Sequence, residues 1–358
     1  MKRILIATLA ALLALSVAFA ASADGWKEQF ERKEYEAAYP TIKEAAEAGD
    51  PDATAHLAAC LANGYGTEAD PEKAYELAMK AADAGNAYGM LMAGNCFLYG
   101  WGTAQDYTKA MEWLQKGADL GEPAAMRNLG GLYLDGLGTA PDYAKAMEWF
   151  QKAAALGNID AITDLAYMAF YGLGMDQDYA KAFEYNLEAA ELGDAIAMGN
   201  LGNAYSNGVG TEQDYTKSME WDLKAVELGN NLPLAEIGYL YDKGLGTEQS
   251  DEKALEYYQK AADLGYPYAK ANIAWMIIEG RCPDPDYSKA VEYFTLAAES
   301  GWSHAFFGLG ECYYAGKGVE KDLEKAGEYY RQALEAGYPL TDPTEQEHVK
   351  EVLGEEAK

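Results

Sequence analysis

Few residues in this 358-residue chain are of types and spacings that could do chemistry. Ser250 and Lys253 stand in Ser250-Asp251-Glu252-Lys253, a Ser-x-x-Lys spacing in which an amine can activate a hydroxyl as a nucleophile. Glu76, Glu112, Glu148, Glu184, Glu220, Glu256, Glu292 and Glu328 recur at one interval and could supply a row of general acids or bases. His56, His304 and His348 are scattered, and there is no His-Glu-x-x-His or Cys-x-x-Cys to hold a metal. These residues predict no catalytic site, no metal and no cofactor.

Each candidate has a structural explanation that fits more of the chain. The slot of Ser250 is filled elsewhere by Asp70, Asp106, Asp142, Asp178, Asp214, Asp286 and Asp322, residues whose side-chain oxygen caps a helix by accepting a free N–H. Lys80, Lys116, Lys152, Lys224 and Lys260 follow their glutamates by four residues, the favourable orientation on an exposed helix. Trp113, Trp149, Tyr185, Trp221, Tyr257, Tyr293 and Tyr329 recur as well, as expected of helix packing rather than of a cofactor box. Cys60, Cys96 and Cys312 share one position of the repeat. Cys60 and Cys96 are thus one packed-helix spacing apart, roughly 8–10 Å, where a disulfide wants Cα atoms below about 7 Å. Three buried helical thiols and a loop thiol, Cys282, are expected, with a Cys282–Cys312 pairing left open.

The elements that position these residues are set by a 36-residue step. Gly64, Gly100, Gly136, Gly172, Gly208, Gly244, Gly280 and Gly316 keep it, and a second series runs from Gly49 through Gly193 to Gly337. Eight units fill residues 50–337 without insertion, so the chain reads as one repeat array. In the third unit Ala125, Leu129, Leu132 and Tyr133 form a helical stripe that ends at Gly136-Leu137-Gly138, after which Asp142 caps a second helix. Lys-Ala follows the cap in nearly every unit, as at Lys145-Ala146, and Lys217-Ser218 is the departure. The composition, 49% hydrophobic and 24% charged, suits a folded soluble core. A formal charge of −30 argues against nucleic acid or an anionic membrane surface as partner.

At the N-terminus Lys2 and Arg3 precede an apolar run from Ile4 to Ala21, with small residues before a cleavage point after Ala23 or, second, after Ala20. The reading is an export signal over 1–23 and a mature chain, without a membrane span, in the periplasm or the medium. Residues 24–49 are expected to form an N-terminal capping half-repeat with a helix from Tyr35 to Ala48. Residues 338–358 should form a C-terminal capping helix and tail, with Asp342-Pro343 starting the helix.

Leu129-Gly130, Tyr133, Gly136-Leu137-Gly138, Lys145-Ala146, Trp149 and Lys152-Ala153-Ala154 through Gly157 resemble the Sel-1-like repeat, a relative of the tetratricopeptide repeat with a longer, glycine-bearing loop. The resemblance extends over 50–337. It implies an all-α, right-handed α-solenoid of eight 36-residue helix-turn-helix repeats that serves as an adaptor or scaffold for protein complexes, and it implies no reaction. A cysteine-rich branch of the family is linked to penicillin binding and pairs cysteines within a repeat, but no repeat here carries two. The departures are Pro233 early in the sixth unit, Ser250 as its second cap, and Arg281-Cys282-Pro283, which replaces a loop glycine.

At about 100° per residue, first-helix positions equivalent to 52, 56, 59 and 63 form a stripe apart from the core stripe at 53, 57 and 60. In tetratricopeptide-like solenoids it lines the concave surface. The candidate ligand-binding residues on it are Asn95, Asn128, Asp164, Tyr167, Tyr171, Asn200, Asn203, Glu236, Tyr239, Asn272 and Trp275, with Met92 among their neighbours and Lys243 the opposing cation. Amides suit an extended backbone, and aromatics offer rigid contact area. The expected function is an exported, non-catalytic scaffold that binds a neutral-to-basic protein or peptide segment. A penicillin-binding or β-lactamase-like enzyme and a cell-wall glycan-binding module are the alternatives.

Overall fold

Helix starts follow directly from the periodic acidic and amide residues. Asp142 Oδ1 accepts the Lys145 backbone N–H at 3.1 Å, and Ser250 Oγ accepts that of Lys253 at 3.3 Å. Helix ends follow from glycine: Gly136 has φ +69°, a left-handed conformation that stops the helix, and Gly138 at φ +79° passes close to the Tyr107 carbonyl, where a side chain would crowd.

In the computed structural model, residues 25–354 are described, and the expected export signal, 1–23, lies outside them. Among the described residues there are helices and no strands. Two helices, α1 (Gly25–Glu31) and α2 (Tyr35–Glu47), precede the repeats. The first helices of the eight repeats are α3 (Pro51–Asn63), α5 (Ala87–Tyr99), α7 (Pro123–Asp135), α9 (Ile159–Tyr171), α11 (Ala195–Asn207), α13 (Leu234–Lys243), α15 (Pro267–Ile278) and α17 (Ser303–Ala315). Their partners are α4 (Pro71–Asp83), α6 (Tyr107–Asp119), α8 (Tyr143–Ala155), α10 (Tyr179–Glu191), α12 (Tyr215–Glu227), α14 (Asp251–Asp263), α16 (Tyr287–Ala298) and α18 (Leu323–Glu335). A last helix, α19 (Pro343–Leu353), follows, capped by Asp342. The arrangement is an α-solenoid of helix pairs. No described helix is long and apolar enough to cross a membrane.

Within a repeat the two helices lock through a glycine on the first and a large side chain on the second. A β-carbon on Gly130 would come 2.7 Å from the Phe150 ring, and one on Gly238 would come 2.6 Å from Tyr258. The periodic lysines add a second tie. Lys145 Nζ lies 5.0 Å above the Tyr133 ring and Lys253 Nζ 4.8 Å above Tyr241, so the Lys of Lys-Ala covers an aromatic of the preceding helix. Of the periodic glutamates, Glu148 pairs with Lys152 at 2.6 Å and Glu256 with Lys260 at 2.7 Å on exposed faces.

Packing divides the chain into two compact units, one up to Tyr185 and one from Asn186, whereas the sequence periodicity runs through unbroken. The division falls at a position that elsewhere supplies a core side chain, such as Leu114, Phe150 or Tyr258, and here holds Asn186. A polar amide at that slot brings less apolar surface to the packing of α10. In the second unit α13 starts three residues late, because Pro233 restrains Leu232 from helical geometry. Helix α15 ends at Ile278, before Gly280, and the following turn contains Arg281 and Cys282. All four cysteines are free, Cys60, Cys96 and Cys312 buried and Cys282 partly so.

Candidate functional site

The stripe is polar, but in the first unit much of its polarity is spent between repeats. Asn128 Nδ2 donates to Asn95 Oδ1 at 2.8 Å. Arg127 Nε donates to Asp164 Oδ2 at 2.7 Å, and its Nη1 pairs with Asp160 at 3.3 Å. Burial raises the Asp164 carboxyl above its ordinary range, and the guanidinium opposes that rise. Arg127, one position off the stripe, is thus a second cation beside Lys243. Met92, expected among the stripe residues, is instead buried with Ala58, Ala59 and Ala93. Small residues let α3 and α5 approach closely enough there to turn the stripe into core. What the first unit leaves open is aromatic: Tyr167 and Tyr171 are about half exposed, with ring centroids 4.6 Å apart.

In the second unit Asn200 Nδ2 donates to Asn186 Oδ1 at 3.0 Å, and the Asn203 carbonyl accepts from Asn207. Both residues are exposed and are not among those that line the cleft formed by the others. Glu236, Tyr239, Asn272 and Trp275, by contrast, converge on one cleft of about 560 Å³, a size at which ligand pockets commonly fall. Lys243 and Glu279 line it too. Tyr239 is 41% exposed, whereas Trp275 is half-buried, its ring 5.3 Å from Phe294 and 6.3 Å from Phe307. The Trp275 ring therefore serves core and cleft together.

Among the cleft residues that helical spacing does not place there are Asp242, Arg281, Trp302, His304, Tyr338 and Glu345. Asp242 is buried and pairs with the Arg281 guanidinium and with Lys243 Nζ, the latter at 3.0 Å. Arg281 also holds Asp251 at 3.0 Å and Glu279 at 2.8 Å, so the wall carries its own satisfied cation. Trp302 stacks on His304 at 5.1 Å, His304 meets Tyr338 edge-on at 4.9 Å, and Tyr338 stacks on Phe307 at 4.2 Å. Burial lowers the His304 imidazole below its ordinary value, which favours the neutral ring. Tyr338 donates its hydroxyl to Glu345 at 2.9 Å, and burial holds Glu345 above the usual carboxylate range. The signal that could have found these aromatics is a broken rule. Asp50, Asn86, Glu122, Asn158 and Asp194 each cap their first helix through the side chain, whereas in the same slot Tyr266 and Trp302 make no cap hydrogen bond. Tyr338 stands 36 residues beyond Trp302. An N-cap forgone costs about 0.5–2 kcal/mol, and such local losses concentrate at functional sites.

The residues of the Ser250 arrangement have structural engagements. The Ser250 hydroxyl serves the α14 cap, and the Lys253 ammonium lies over Tyr241.

The comparisons with known proteins fit this architecture. The Sel1 repeat model matches residues 51–86, 87–122, 123–158, 159–194, 195–230, 234–266, 267–302 and 303–338, the sixth match opening at the delayed start of α13. The crystal structure of c5321, a protective antigen present in uropathogenic Escherichia coli strains displaying an SLR fold, is 32% identical with a TM-score of 0.68. That alignment covers 89% of this chain and 67% of the other. A Sel1 repeat protein from Oxalobacter formigenes is 27% identical with a TM-score of 0.60, over 68% of this chain and 99% of its own. No match is found among curated proteins. Eight consecutive matches on eight helix pairs establish that the chain belongs to the Sel1 repeat family.

Proposed function

We propose that the protein is an exported, non-catalytic scaffold that binds a neutral-to-basic segment of another protein along its first-helix stripe, anchored in the cleft of the second unit. Sel1 and tetratricopeptide-like repeats generally serve as protein-interaction scaffolds. The observation that carries the reading is the exchange of a helix cap for an aromatic at Trp302, which lines one cleft with Tyr239, Trp275 and Tyr338. Rigid aromatic area in a concave pocket is what anchors protein interfaces. Export rests on Lys2, Arg3 and the apolar run to Ala21.

A photo-crosslinking residue at Tyr239 should capture a defined protein segment, mappable by mass spectrometry, that the same group at the outer-face Glu148 does not capture. Equal capture at both positions would remove the assignment. Fractionation with N-terminal sequencing should find a mature chain that starts at Asp24. Penicillin hydrolysis by the purified protein, or binding of cell-wall glycan without any peptide binding, would favour the enzyme or the carbohydrate module instead.

A further inference from the structure

The cleft is acidic, and its charges are unequally satisfied. Asp242 and Glu279 are neutralised from within by Arg281, and Asp242 also by Lys243. Glu236 and Glu345 are held differently. Glu236 accepts from the Ser206 hydroxyl at 2.7 Å and Glu345 from the Tyr338 hydroxyl at 2.9 Å, so each is positioned by a neutral donor that leaves its charge in place. Ser206 is itself buried, which fixes the direction of Glu236. The rings of Tyr239, Trp275, Trp302 and Tyr338 line the same cleft as these two carboxylates. Aromatic faces and desolvated carboxylates together favour a cation with an apolar stem, since a ring face attracts the charge while its edges pack methylenes. A purely apolar side chain would leave both glutamates desolvated and uncompensated, which is costly.

We infer that the cleft is a recognition pocket for one lysine or arginine side chain of the bound protein segment, with Glu236 and Glu345 receiving the charge and Tyr239, Trp275, Trp302 and Tyr338 enclosing the stem. This assignment rests on the peptide-binding reading above and adds the residue that is read. The pocket thereby sets register: an extended segment crossing the stripe is fixed where its basic side chain enters.

The test is panning of a random dodecapeptide library, at physiological salt, on the chain from Asp24 onward. Selected peptides should share one lysine or arginine. Replacing that residue by norleucine, and separately making Glu236→Gln with Glu345→Gln in the protein, should each weaken binding about tenfold or more, as expected when a charge-assisted contact is lost. Glutamine still accepts from Ser206 and Tyr338, and loss of the Glu236 charge relieves the buried Asp222, so the double variant should melt no earlier than the parent. Because a chain of charge −30 attracts any basic peptide, the control is Glu148→Gln with Glu184→Gln, an equal charge change on second helices, which should alter affinity less than about twofold. Peptides that bind without a basic residue, or a cleft variant no weaker than the control, would overturn the inference and leave peptide binding standing. A library that yields no binder would overturn both.

Discussion

Gly202 on α11 and Asp222 on α12 occupy each other's space: a β-carbon on Gly202 would collide with the Asp222 carboxylate. This is the glycine pocket that takes Phe150 or Tyr258 in other repeats, filled here by an ionisable group that is only 1% exposed. The Ser218 hydroxyl lies 3.4 Å away on the same helix, and the Glu236 carboxylate acts on Asp222 from α13. Burial first, and Glu236 second, push Asp222 up to about 8. A carboxyl raised in the folded state favours folding below its unfolded value of about 4, and that contribution is lost as pH rises toward 8. Asp222→Leu, which restores the residue type of Leu114, should therefore raise the melting temperature more at pH 8 than at pH 5. The gain at pH 8 should be of the order of a few kcal/mol. Equal gains at both pH values, read by thermal melts, would show that ionisation of Asp222 does not limit stability.

Asp178 and Ser250 carry the same job with different chemistry, the first accepting the Lys181 N–H at 2.9 Å and the second that of Lys253. Alanine at either site should cost about 0.5–2 kcal/mol of stability. Intact-mass spectrometry after incubation with benzylpenicillin should show no adduct, and one mapped to Ser250 would reverse the structural assignment.

Tyr239→Ala and Trp275→Ala should separate binding from folding. Tyr239 is exposed and should lower affinity for a cleft-binding peptide by more than about 1 kcal/mol with little change in melting. Trp275 packs on Phe294 and Phe307, so its loss should reduce affinity and also destabilise the fold by about 3 kcal/mol or less, given its half-buried ring. Calorimetric titration beside a melt distinguishes the two, and a Trp275 variant with unchanged melting would refute the shared role.

Thiol chemistry should single out Cys282. Burial pushes Cys60 up to about 11 and Cys96 and Cys312 up to about 12, so these are neither exposed nor ionised near neutral pH. Titration of the native protein with an aromatic disulfide reagent should report one reactive thiol, and four after denaturation. Two or more reacting at once in the native state would contradict the packing.

Removal of residues 124–159, one repeat in register, should leave a folded, shorter helical protein, because helices pack mainly on their next and next-but-one neighbours. Removal of 18 residues exposes the wrong face to the next helix and should abolish cooperative melting. Similar cooperative melts for the two deletions would argue against the array.

Helix starts, helix ends and the number of repeats were legible in the sequence because their causes are local. Asp142 caps an N–H three residues away, Gly136 stops the helix it follows, and eight repetitions make the pattern unmistakable. The side on which a ligand could sit was legible as far as helical spacing carries, which placed Glu236, Tyr239, Asn272 and Trp275 on one stripe. Their closure into a cleft was decided by tertiary structure. Asn128 meets Asn95, Arg127 meets Asp164, and Arg281 reaches Asp242 across more than 30 residues of chain, contacts that depend on how one repeat is set against the next. Trp302, Tyr338 and Glu345 join Glu236 by the same means. Periodicity says which face a side chain leaves from, but whether it ends in water, in the core as Met92 does, or in a shared cavity depends on the surface that the neighbouring repeat presents to it.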